Sequence, residues 1–335
     1  MLERALRSLT RPVRLLAAGG TIAMRGERAV PVLDAAGLID QVPQLAAVPA
    51  LHAETLLALP SAHVTLAHAR EIATRAAQVA AGGEGVVITT GTDTLEELAV
   101  LCALAHDADA PVVLTGANRP ASGPGADGAA NLIDAVAVAG APRSAELGVA
   151  AVFGGEIHAA MTVRKVDSTG PAAFGSPVTG PLGRIVEGRV WLHAQPLRPR
   201  PLALGQLTHR VDIITAALGD EGMLLRDAAR SADGLVVVAF GAGHLSVPLL
   251  DELRRAGSEL PVVVTCRPER SSMLFETYGF EGAEADIRAS GAVCAPFLSP
   301  GASRIVLLAC LSAGLDRAGI AAAFVPWDAT LELPT

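Results

Sequence analysis

The chain carries 26 basic side chains, and 25 of them are Arg; the single Lys is Lys165. An ammonium can surrender its proton and act as a base, whereas a guanidinium stays protonated, so a position kept as Lys in an otherwise Arg-only chain points to acid–base chemistry. Two threonine-rich segments offer it partners. The first, RLLAAGGTIAM, leaves an apolar run through Gly19-Gly20-Thr21; the second, GVVITTGTDTLEELA, leaves one through Gly91-Thr92-Asp93-Thr94. Adjacent glycines let backbone N–H groups approach a ligand and leave the Thr21 hydroxyl accessible. Thr92 beside Asp93 sets a hydroxyl next to a carboxylate, a pairing suited to catalysis. A threonine nucleophile needs a base for its proton and donors for the oxyanion, and Lys165, Asp93 and the loop N–H groups can supply both. Thr94 also suits the cap of a helix starting at Leu95, the ordinary structural use of such a residue. Neither loop has the glycine spacing of a nucleotide-binding motif.

These loops must sit at strand ends, and the chain supplies the strands. Apolar runs at residues 14–18, 55–59, 85–89, 111–115 and 147–153 alternate with helical patterns at 33–41, 66–80, 95–105 and 129–138. Such alternation predicts an α/β fold: a larger N-terminal domain over residues 1–197 with a mostly parallel, doubly wound sheet, whose carboxyl strand ends bind ligands. Residues 183–193 read as a hairpin turning at Glu187-Gly188. A Pro- and Arg-rich stretch, 198–210, reads as a linker. Beyond it, over 211–335, a smaller C-terminal α/β domain is expected, with strands at 211–215, 234–240 and 260–266 and helices at 247–256, 304–313 and 317–324.

Composition narrows the function. With 335 residues, 51% hydrophobic and 18% charged, the chain has material for large cores and is too apolar for disorder. A net charge of −8 and the lack of any basic run argue against nucleic acid as a partner. The first twelve residues lack an apolar signal segment and no 20-residue apolar stretch follows, so no membrane association and a cytoplasmic location are expected. Cys102, Cys266, Cys294 and Cys310 lie far apart and read as reduced core thiols. With eight scattered His they give no metal-ligand spacing, so neither metal nor cofactor is expected.

The motifs resemble those of the bacterial-type L-asparaginase/glutaminase family. GGTIA at 19–23, TGTDTLEE at 90–97, PVVLTGANRPASGPGADGAANL at 111–132, VRKVDSTGPAAF at 163–174 and VAFGAGHL at 238–245 follow in that family's order. The resemblance implies that Thr21 is the usual nucleophile and that Thr92, Asp93 and Lys165 form a second catalytic group. It gives Ser61 the substrate α-carboxylate and Asp93 the α-amino group, with Gly91, Thr92 and Ala117 lining the site. A glutamate from a neighbouring subunit joins them, placed by counting along the chain at Glu284. The substrate implied is L-asparagine, with L-glutamine as an alternative, and the assembly a homodimer or homotetramer in which the C-terminal domain completes a neighbour's site.

Three positions depart from the family pattern. Many members carry a tyrosine in the loop after the first threonine, but Met24–Leu33 has no aromatic residue and the only Tyr is Tyr278. Ala62 stands where a glutamine is frequent, and His244 where an asparagine is. The missing tyrosine keeps two other readings open, Thr92 as the nucleophile and an amino-acid sensor with little turnover. A third, an amidotransferase subunit acting on charged tRNA, is disfavoured by the acidic charge.

Overall fold

Every residue of the strand β1 (Val13–Gly19) except Arg14 is buried, as in a strand covered on both faces. The structure is a computed structural model that describes residues 1–26, 30–270 and 272–325. The chain divides into two units, Met1–Pro201 and the residues from Leu202 on.

In the first unit β1 is followed by the two-residue strands β2 (Met24–Arg25) and β3 (Val30–Pro31), which pair antiparallel. The strands β4 (Leu51–Leu59), β5 (Gly85–Thr89), β6 (Val112–Thr115) and β7 (Val149–Phe153) then lie parallel to β1 in the order β4-β1-β5-β6-β7. The chain moves from β1 to β4 on one side and crosses back to β5 on the other. The strand order therefore reverses between β1 and β5, where α/β sheets open a crevice for ligands.

Helices cover both faces. Alternate residues Val13, Leu15 and Ala17 of β1, with Val87 and Val113, join one core with Ala35 and Leu38 of α2 (Ala35–Asp40) and the buried side of α5 (Gly128–Gly140). The opposite face carries α3 (Leu66–Ala81) and α4 (Leu95–Ala105), which pack on each other and on β5, β6 and β7. Local signals start these helices: Asp34 Oδ1 accepts from Gly37 N, and Thr65 and His68 form a reciprocal capping box. Ahead of the sheet, α1 (Leu2–Arg7) buries Leu6; this helix is too short to stand out in the sequence pattern.

Past β7 the sheet turns antiparallel. Gly154 and Gly155, at φ +58° and +77°, fold the chain back into β8 (Glu156–Ala159). Then come β9 (Arg164–Lys165), paired with β10 (Phe174–Gly175), and the expected hairpin β11 (Gly183–Val186) and β12 (Arg189–Leu192). Glu187 and Gly188 both take positive φ, the signature of a type I′ turn. Strand β11 pairs with β8, completing an eight-stranded sheet.

In the second unit β13 (Val211–Thr215), β14 (Gly234–Ala239), β15 (Val262–Cys266) and β16 (Val293–Cys294) form a parallel sheet in sequence order. The helices are α6 (Met223–Ala229), α7 (Val247–Glu259), α8 (Glu284–Ala289), α9 (Pro300–Ser312) and α10 (Arg317–Phe324). The helix expected from 304 starts four residues earlier because Ser299 Oγ accepts from Ala302 N and Pro300 suits the first turn. Cys102, Cys266, Cys294 and Cys310 are all buried. The stretch read as a linker is held along its length: Arg198 Nη2 donates to Ala108 O, Gly205 lies against the Ser312 backbone, and Arg210 N donates to Asp233 Oδ2. Among the described residues no helix is long and apolar enough to cross a membrane.

One α5 side chain weakens this fold at neutral pH. Burial pushes the Asp134 carboxyl up to about 6 from the ordinary 3.8, so the folded state prefers the neutral acid. Stability then falls as pH rises from 3.8 towards 6, and the full penalty applies above that window. Asp134→Asn is expected to raise the thermal midpoint at pH 7.5 by roughly 2–4 °C. The gain should vanish near pH 4 when melting is followed by circular dichroism.

Candidate active site

The site grows from the close approach of two strand ends. A side chain on Gly20, just past β1, would collide with the backbone of Thr90 and Gly91 just past β5. One on Gly91 would come within 2.5 Å of Ser61 Oγ and 2.6 Å of its Cβ. The first glycine therefore brings Thr21, the next residue, to the Thr90–Asp93 loop, and the second lets Ser61, two residues past β4, tuck under that loop. The site lies at the β1/β5 boundary, where the strand order reverses.

Around Gly91 the side chains interlock. Ser61 Oγ donates to Asp93 Oδ2 at 3.0 Å, and the Asp93 N–H lies 3.3 Å from the same oxygen. Lys165 Nζ donates to Thr92 Oγ1 and to Asp93 Oδ1, both at 2.8 Å. Thr92 is buried, whereas the Asp93 side chain is 62% exposed and that of Lys165 21%. The Lys165 hydrogen bond holds the Asp93 carboxyl below the ordinary 3.8; burial pushes upward and Ser61 adds to the lowering. Two strongly polar groups thus meet at a partly open rim, with a buried hydroxyl between lysine and the interior. Thr94 does head α4, but its hydroxyl makes no capping bond and points instead to Ser61 O at 3.5 Å.

Thr21, Ser61, Gly91, Thr92, Asp93, Ala117 and Lys165 all lie in the first unit. Thr21 is half-buried in a single 3₁₀ turn, and among the described residues its hydroxyl has no hydrogen-bond partner. Ala117, just past β6, is buried and walls a cavity of about 280 Å³ shared with Ile22, Arg25 and Arg119. Ala62 is exposed. Of the tyrosine-free segment 24–33, residues 27–29 lie outside the described residues.

Glu284 belongs to the second unit, where it opens α8 and is 1% exposed. Its Oε1 accepts from the Thr277 and Tyr278 N–H groups, and its Oε2 lies 3.4 Å from His244 Nε2. Burial pushes this carboxyl up, but the backbone hydrogen bonds outweigh it and the net shift is downward. His244 packs edge-on against Tyr278 and Phe280, with ring centroids 4.9 and 5.0 Å away.

Three residues that sequence reasoning misses organise the site. Glu96 Oε2 accepts from the Lys165 backbone N–H at 2.7 Å and so anchors the lysine's main chain. Asn118 bridges Thr92 Oγ1, at 3.5 Å, and Gly170 O, at 2.8 Å. Asp127 receives the N–H groups of Asn118 and Arg119 at 3.0 and 2.9 Å. All three stand inside the quoted motifs, but only the fold reveals what they touch.

Fold and site define a class: a two-unit α/β protein with a threonine–lysine–aspartate cluster at the switch point of a parallel sheet. The family models "Asparaginase, N-terminal", over residues 12–198, and "Glutaminase/Asparaginase C-terminal domain", over residues 210–324, both match, and the chain belongs to the asparaginase family. It is 39% identical over 320 residues to a probable L-asparaginase of Deinococcus radiodurans, spanning 92% of this chain and 96% of that protein. With a glutaminase-asparaginase of Pseudomonas fluorescens biotype A it shares 32% over 267 residues, 74% of each chain. Among solved structures, a probable cytoplasmic L-asparaginase from Campylobacter jejuni superposes with a TM-score of 0.83 at 29% identity, covering 94% of this chain and 99% of that one.

Two expectations follow from the geometry. Gly91→Ala drives a methyl group into Ser61 and should lower unfolding stability by about 1–3 kcal/mol, read by urea titration. The lowered Asp93 value means that its pairing stabilises the fold above pH 3.8, with the contribution lost as pH falls through the folded-state value. The difference in thermal midpoint between wild type and Asp93→Asn should accordingly be level from pH 7 to 5 and close on further acidification.

Proposed function

We propose that this protein hydrolyses the side-chain amide of L-asparagine to L-aspartate and ammonia, with L-glutamine as a second candidate substrate. One observation carries the reading: Lys165 Nζ stands 2.8 Å from both Thr92 Oγ1 and Asp93 Oδ1 at a strand-end crevice. In this mechanism Thr21 attacks the amide carbon and backbone N–H groups near Thr92 or Ala117 hold the oxyanion. The C–N bond breaks, ammonia leaves with the proton shed by the nucleophile, and a threonyl ester remains. Water activated through Thr92 and Lys165 then releases aspartate and restores the hydroxyl.

Substrate placement uses the same rim. Ser61 takes the α-carboxylate and Asp93 the α-amino group, while Gly91 leaves room for both. In a homodimer or homotetramer, Glu284 of a neighbouring copy reaches the amino group; with Oε1 committed to two backbone N–H groups, only Oε2 remains for that contact. A cytoplasmic location fits this reading, and it involves neither nucleic acid nor membrane.

The Thr21 hydroxyl, unpartnered among the described residues, and the lack of a loop tyrosine favour one rival, a sensor that binds asparagine without turnover. Ammonia release from L-asparagine and from L-glutamine, measured on wild type beside Lys165→Arg, separates the two. Hydrolysis predicts active wild type and a folded variant slower by about 10²–10⁴-fold. Wild type that releases no ammonia yet melts higher with asparagine would establish the sensor instead.

A further inference from the structure

The contact between Thr92 and Asn118 has a direction, and the direction constrains the chemistry. A hydroxyl offers one donor and two acceptor sites, an asparagine side chain two donors on nitrogen and acceptors on oxygen only. Gly170 O can only accept, so the Asn118 group 2.8 Å from it is the nitrogen, Nδ2. Its oxygen, Oδ1, is left facing Thr92 Oγ1 at 3.5 Å. At that separation the contact is a long hydrogen bond, and in it Thr92 alone can be the donor. The other close neighbour of Thr92 Oγ1 is Lys165 Nζ, which donates to it at 2.8 Å.

From this we infer that Asn118 is a positioning residue that orients the Thr92 hydroxyl, taking its proton so that the oxygen stays open to Lys165. Thr92 gives its proton to Asn118 and receives one from Lys165, which leaves one acceptor site on its oxygen. The amide itself is anchored from two sides. Asp127 holds the Asn118 and Arg119 N–H groups and is joined by Asn131 Nδ2 at 3.3 Å, while Asn131 Nδ2 also reaches Gly116 O and its Oδ1 accepts from Gly154 N. Gly170, the partner of Nδ2, is fixed by Asp167, whose Oδ1 accepts from the Thr169 and Gly170 N–H groups at 2.8 Å. Asn118 therefore also ties the loop after β6 to the loop after Lys165. Its influence on the reaction runs through the Thr92 hydroxyl and needs no contact with substrate.

As a statement about catalysis this rests on the amidohydrolase reading, so the test has one arm that measures turnover and one that does not. Asn118→Leu removes acceptor and donor, whereas Asn118→Asp keeps an oxygen for Thr92. The Leu variant should lose about 10- to 100-fold in kcat for L-asparagine with KM within about threefold, and the Asp variant should recover most of that loss. An unchanged kcat in Asn118→Leu, a loss confined to KM, or an Asp variant as slow as the Leu variant would each overturn the proposal.

The second arm exploits the single lysine. Protein grown on ¹³C-lysine gives one ε-methylene NMR signal, that of Lys165. Asn118→Leu should displace it in the wild-type background and leave it in place in a Thr92→Val background, because the influence passes through the hydroxyl. Displacement of equal size in both backgrounds, or in neither, refutes the inference whether or not the protein hydrolyses asparagine. If wild type lacks turnover while the signal behaves as expected, the amidohydrolase reading fails and the orienting role of Asn118 stands.

Discussion

Close approach of backbone to backbone between the ends of β1 and β5 is the constraint on which the site depends. With any side chain at Gly20 or Gly91 the Thr21 turn and the Thr90–Asp93 loop would be forced apart, and Ser61 would lose its place below. The parallel sheet makes the approach possible, since neighbouring strands deliver their carboxyl ends to one edge and the reversal of strand order keeps covering helices away from that point. Sheet topology chooses the location, and two missing Cβ atoms set the spacing there.

Within that spacing the charges are arranged around one ammonium. Lys165 reaches two acceptors from one nitrogen, a geometry that suits a compact point charge; a planar guanidinium would spread its donors over a fork. The lysine's main chain is held by Glu96 on α4, the helix that begins directly after Thr94. One loop therefore presents Thr92 and Asp93 to the lysine, and the helix leaving that loop fixes the lysine in front of them. This mutual anchoring links the Thr92–Asp93 spacing to the position of Lys165 more tightly than either segment could manage alone.

Sequence patterns reveal the elements whose signals are local and strong. The buried parallel strands read as continuous apolar runs, the Glu187-Gly188 turn carries its own signature, and α3 and α4 show as helical patterns between the strands. What stays hidden is short or tertiary. Strand β8 exists because of positive φ at Gly154-Gly155, while α6 and α8 span only seven and six residues. In the site, Thr21, Thr92, Asp93 and Lys165 are legible as a hydroxyl, carboxylate and amine in suggestive loops. Asn118 and Asp127 are not, because an asparagine or aspartate in a Gly- and Pro-rich stretch looks like turn chemistry until its partners are seen. The Glu284 carboxylate accepts from its own neighbouring backbone, a contact that counting along the chain gives no means of foreseeing.

The two threonines are unequally prepared. Thr92 is buried and hydrogen-bonded on two sides, within a shell tied back to α4, α5 and the Asp167 turn. Thr21 stands half-buried on a single 3₁₀ turn with its hydroxyl unpartnered among the described residues. A preorganised group changes little during a reaction and so suits the part that moves protons or stabilises charge; a loosely held one can adjust to the geometry of attack. This division agrees with the proposed mechanism, in which Thr21 attacks and Thr92 and Lys165 handle protons. Under that proposal the missing loop tyrosine bears on Thr21, whose activation would fall to the substrate and its neighbours in the crevice, whereas Thr92 already has Lys165 at 2.8 Å.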